Sequence, residues 1–108
     1  MGDLNLASLT ATDSQASAAS STATVSAISG KLFQIVGFDG SSNDQPFSVT
    51  LNFGDSTKLT MYGSADTSVG RDFGDNGPVT AKGEDITVVT TPASSGNCNA
   101  NIIYKIIF

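Results

Sequence analysis

The sequence predicts an all-β protein, a small antiparallel β-sandwich or jelly-roll-like domain preceded by a low-complexity N-terminal arm. Three observations carry this. The stretch FSVTLNF (47–53) alternates strictly, with Phe47, Val49, Leu51 and Phe53 on one side and Ser48, Thr50 and Asn52 on the other, the period of a half-buried strand. Further short apolar runs recur between clusters of Gly, Asn, Asp, Ser and Pro, the residues that turn a chain. No segment sustains an apolar repeat at helical spacing.

The elements follow in order. Residues 10–27, TATDSQASAASSTATVSA, are almost entirely Ala, Ser and Thr, and a stretch with so little apolar area stays mobile unless a neighbour orders it. Residues 1–25 are therefore read as an arm and 26–108 as the sandwich domain, with a weak strand in TATVSAIS (22–29). KLFQIVGF (31–38) is the first strong strand, ended by Asp39-Gly40 and SSNDQP. FSVTLNF turns at Gly54-Asp55-Ser56 into TKLTMYG (57–63), a hairpin. SADTSVGRDFGDNGP reads as loop, anchored by Val69 and Phe73. A Lys82-Gly83 turn precedes a strand from about Asp85 to Thr91, and a closing strand runs from about Ala100. The count is roughly six to eight strands, at the intervals of a sandwich.

The closing strand poses a question of its own. On alternate positions of ANIIYKIIF, Ala100, Ile102, Tyr104, Ile106 and Phe108 share one side, while Asn101, Ile103, Lys105 and Ile107 share the other. One side is wholly apolar and closes the core. The other is mixed, and its Ile103 and Ile107 are expected to be buried as well.

Composition narrows the function classes. A chain of 108 residues makes one small domain that buries about 60–65% of its unfolded surface. Its single cysteine, Cys98, allows no internal disulfide, and with no histidine there is no Cys/His metal cluster, which leaves oligomerisation as the common route to extra stability. A net charge of −5 with five basic residues disfavours nucleic acid and anionic membranes as partners. The first residues lack the basic start and apolar run of a signal peptide, and no stretch approaches a membrane span, so synthesis in the cytoplasm without export is expected.

Catalysis is hard to place. Without histidine the usual base is missing, and Cys98 has no neighbour in sequence to activate it. Asp72 and Asp75 are close in sequence but stand in the glycine-rich RDFGDNG, where Asp and Asn form turns. The same segment fails the EF-hand spacing, since its second acid falls one residue late and no glutamate follows in place. The letters DFG occur without the rest of a kinase signature. No catalytic, cofactor-binding or metal-ligating residue is assigned. The Phe and Tyr residues fall mostly on inward positions, with Tyr62, Phe73 and Tyr104 alone having room to face solvent, and the alternation favours a core reading of the aromatics.

The order of SAISGKLFQIVGF, FSVTLNFGDSTKLT, GPVTAKGEDITVVTT and the terminal ANIIYKIIF, over about residues 25–108, resembles the small β-sandwich structural proteins of tailed bacteriophages: capsid decoration or cement proteins and related head-fibre components. The resemblance implies a non-enzymatic virion protein on the capsid exterior, commonly a homotrimer, clamping copies of the major capsid protein. No cofactor would be implied. Ile103, Ile107 and Phe108 would then form the oligomer or capsid interface. The alternative is a carbohydrate- or receptor-binding β-sandwich of a phage fibre or tail, contacting ligand through loops around 63–78 and Phe73. A bacterial surface or pilus subunit is a third reading, and it would need an export signal.

Overall fold

The computed structural model describes residues 8–15, 20–43, 46–64, 66–92 and 97–107. They build eight strands: β1 (Leu9–Gln15), β2 (Ser21–Val25), β3 (Leu32–Ser42), β4 (Phe47–Phe53), β5 (Ser56–Gly63), β6 (Thr67–Asp72), β7 (Ile86–Pro92) and β8 (Cys98–Ile107). One turn of 3₁₀ helix, Gly74–Asn76, follows β6. Two four-stranded antiparallel sheets face each other, a front sheet in the order β1-β8-β3-β6 and a back sheet in the order β2-β7-β4-β5. The chain is a β-sandwich.

The alternation seen in the sequence sets the core. Phe47, Val49, Leu51 and Phe53 of β4 are all buried, and they meet Phe33, Ile35 and Phe38 of β3 and Ala100 and Ile102 of β8 from the other sheet. Each such side chain contributes about 1.5–3 kcal/mol on full burial, so these strands carry most of the hydrophobic stabilisation. The apolar side of the last strand closes the core as its pattern requires. Tyr104 packs edge-on against Phe33, with ring centroids 5.7 Å apart.

Three expectations need correction. The stretch expected to be an arm instead supplies β1 and β2, which pair with β8 and β7 at one side of the sandwich. Its small side chains suit the narrow end of a core: Ser21, Ala23 and Val25 turn inward in strict alternation, and the neighbouring ladders provide the ordering that composition alone lacks. Second, β3 continues past Asp39-Gly40 to Ser42. Gly40 is there because a Cβ at that position would lie 2.1 Å from Thr90 Oγ1 and 2.7 Å from Val49 Cγ2, so the glycine marks close packing of the two sheets and not a turn. Third, TSVGRD forms edge strand β6 with Val69 against the core. The Gly54 and Gly83 turns stand where expected, with φ of 57° and 74°.

Candidate functional site

Polar chemistry concentrates on the outward side of the front sheet. Residues opposite each other in antiparallel strands share a face, so the registers line up outward side chains in rows across the sheet. Ser14, Asn99, Ser41 and Ser68 form one row. Thr12, Asn101, Asp39 and Gly70 form the next, and Thr10, Ile103, Gly37 and Asp72 a third. Hydroxyls, amides and carboxylates fill most of these positions. Ile103 is the one large apolar side chain among them.

Two adjoining depressions run over this surface. A cleft of about 720 Å³ crosses the end of all four strands, with Ser41, Asn43, Asp66, Ser68, Asn97 and Asn99 among its walls. Ser68 also borders a groove of about 470 Å³ that continues over Val36, Gly37, Asp39, Gly70, Asn101 and Ile103. The glycines are what open it. A Cβ on Gly70 would stand 2.1 Å from the Phe38 carbonyl oxygen, so β6 lies against β3 only with a bare backbone there, and the floor beside Asp39 stays empty. A bulge in β3 between Ile35 and Gly37 places the extra residue, Val36, at the far end.

Hydrogen bonds hold the polar groups in fixed orientations. Ser41 Oγ donates to Asn99 Oδ1 at 2.7 Å, and Asn101 Nδ2 donates to Asp39 Oδ1 at 2.6 Å. At the rim the Asn97 amide donates to Asn43 Oδ1 at 2.8 Å, the Asn43 amide to the Asn97 carbonyl at 3.1 Å, and the Asp66 amide to the Ser42 carbonyl at 2.9 Å. Asp66 holds a left-handed backbone with φ of 60°, a conformation Asp tolerates better than most residues. Ser42, which also lines the cleft, has a buried hydroxyl with no hydrogen-bond partner among the described residues. Among the described residues Arg71 is the sole basic one bordering either depression, against Asp39, Asp66 and Asp72. The local field therefore repels anions.

The residues singled out from the sequence are distributed around this surface. Ile103 lies on it, 40% exposed, beside Gly37 and Thr10. Ile107 is half-buried at the end of β8 opposite Leu32, away from the grooves, and Phe108 lies outside the described residues. Tyr62 is 78% exposed but stands on the back sheet. Phe73 and Tyr104 are half-buried against the core. Asp72 and Asp75 take turn and surface roles: Asp72 Oδ1 accepts from the Gly74 amide at 2.9 Å, and Asp75 pairs with Lys105 at 3.5 Å. Cys98 is buried. Among the described residues no group of three or more His, Cys, Asp or Glu side chains gathers to hold a metal ion.

No family model matches the chain, and no curated protein matches it. Among solved structures it is similar to the CBM36-1 domain of a multidomain xylanase from the hindgut metagenome of Trinervitermes trinervoides, at 18% identity over 94% of this chain and 97% of that domain, with a TM-score of 0.46. A likeness of that size leaves the ligand to be argued from the residues.

The chemistry available is recognition by hydrogen bonds. Once the two internal pairs are made, Asn99 Nδ2 remains to donate, and Asn101 Oδ1 and Asp39 Oδ2 remain to accept. Sequence reasoning missed this set because outward Ser, Thr and Asn on a strand look like ordinary solvated positions. Only the register brings Asp39, Asn99 and Asn101 together.

Proposed function

We propose that this chain is a non-catalytic binding module that holds a neutral glycan across the outward face of its front sheet. The observation carrying this reading is the pair of cross-strand bonds, Ser41 to Asn99 and Asn101 to Asp39, which fix adjacent donors and acceptors along an open groove. Sugar hydroxyls donate and accept at once, so a surface offering both from rigid strands recognises them at little ordering cost. Ile103 gives an apolar footing for the C–H face of a sugar ring. The acidic rim disfavours sulfated or phosphorylated ligands. The open, shallow shape suits a stretch of chain better than one enclosed sugar. Affinity electrophoresis of the wild type and of Asp39→Ala and Asn99→Ala in gels containing neutral polysaccharides tests the reading, with retardation expected for the wild type only.

A second reading, a virion decoration protein seated on a capsid lattice, is favoured by the exposure of Ile103 in the middle of a largely polar face, where a protein partner would cover it. Ile103→Asp separates the two readings. It would abolish assembly on a lattice, while a glycan held mainly by Asp39, Asn99 and Asn101 would lose only part of its affinity.

A further inference from the structure

The sandwich is closed differently at its two sides. Where β1 meets β2, the Asp13 carboxylate accepts from Ser21 Oγ at 3.1 Å and from the Thr22 amide at 3.0 Å, tying the sheets together. Where β5 meets β6, no side-chain hydrogen bond links the two strands among the described residues, and a slot of about 420 Å³ enters between the sheets. Its lining is apolar: Leu51 and Phe53 from β4, Leu59 from β5, then Phe73, Pro78 and Val79. Val79 stands at the mouth, 45% exposed.

Two cations flank this opening from opposite sheets. Lys58 is the extra residue of a bulge in β5, and its Nζ lies 5.7 Å from the centre of the Phe53 ring. Arg71 of β6 lies 5.8 Å from the centre of the Phe73 ring. Neither makes an ion pair among the described residues. In a chain of net charge −5 with only five basic residues, two of them bracket one apolar slot. Each cation rests on the edge of an apolar wall and keeps its charge at the mouth.

We infer that the slot between β5 and β6 binds a medium-chain aliphatic carboxylate, its alkyl chain lying between Leu51, Leu59, Phe73 and Val79 and its carboxylate between Lys58 and Arg71. The slot is of a size that takes a small ligand, and the paired cations select an acid over a neutral chain through charge-assisted hydrogen bonds. The slot shares Arg71 with the front-face groove, and its other lining residues are its own.

The test is titration of the full chain with octanoate, followed by backbone amide NMR shifts, with octanol as the neutral counterpart. Shifts confined to residues around Leu59, Arg71, Phe73 and Val79 are expected. In the double variant Lys58→Gln, Arg71→Gln, octanoate should bind about tenfold more weakly while octanol is little changed. Val79→Asp, at an exposed position that leaves the core intact, should prevent octanoate binding. Shifts scattered over the surface, equal octanoate affinity in wild type and double variant, or undiminished binding by Val79→Asp would each overturn the inference.

Discussion

Asn101 donates its side-chain amide to the Asp39 carboxylate at 2.6 Å, joining β8 to β3 between residues 62 apart in the chain. The bond sits on an exposed face, where such contacts add little to stability but hold both groups in one orientation. Asp39→Ala should leave the melting temperature within a few degrees of wild type, since surface changes usually stay within about 0.5 kcal/mol. Glycan retention by the same variant should fall at least about tenfold, as expected when a charge-assisted contact is lost. Thermal unfolding and affinity electrophoresis on one preparation check both halves.

Asp13 supplies an acid-sensitive clamp. The Thr22 amide, then Gln15, hold its carboxyl below the ordinary value of 3.8. A depressed carboxyl contributes stability that is fully present above the ordinary value and is lost as pH falls through the folded one. Asp13→Asn should therefore melt below wild type at neutral pH, with the gap narrowing once the pH drops under about 3.8. Melting curves between pH 7 and pH 2 read this directly; a gap that stays constant with pH would contradict it.

Gly40 tests the close approach of the sheets. A methyl group there would collide with Thr90 Oγ1 and Val49 Cγ2 and stand 3.2 Å from the Asn99 carbonyl. Gly40→Ala should destabilise the fold by about 1–3 kcal/mol or more through overpacking. Chemical denaturation should show this as a lower midpoint at unchanged slope.

Thr90 makes the opposite case. Its hydroxyl is buried with no hydrogen-bond partner among the described residues. Thr90→Val keeps the shape and removes the unpaired group, so stability should rise by about 1 kcal/mol or stay level. A clear loss of stability would mean that the hydroxyl is satisfied in solution.

Much of the fold is readable from residue order, and the reason is visible in β4. Phe47 to Phe53 alternate large apolar and small polar groups so regularly that the buried side is determined before any partner is known. β8 reads equally well. β1 and β2 do not, because Ala, Ser and Thr give weak contrast between faces, and their order comes from the ladders to β8 and β7. β6 is hidden for a related reason: Gly70, which looks like a loop residue, is what allows that edge strand to lie against Phe38 and Asp39. The candidate site is the least legible part. Asp39 belongs to a turn-like Asp-Gly pair, and Asn99 and Asn101 precede an isoleucine run, so nothing local marks them as partners. Their meeting is a property of strand order.

The proposed glycan site lies on the outward face of the front sheet. The most direct measurement is a binding panel of neutral and acidic polysaccharides run on three proteins: wild type, the front-face variant Asp39→Ala, Asn99→Ala, and Tyr62→Ala as a back-face control. Wild type and Tyr62→Ala are expected to bind the same neutral polysaccharide, and the front-face variant to lose it. Retention on no polysaccharide, or retention that survives the front-face changes and disappears with Tyr62→Ala, would contradict it.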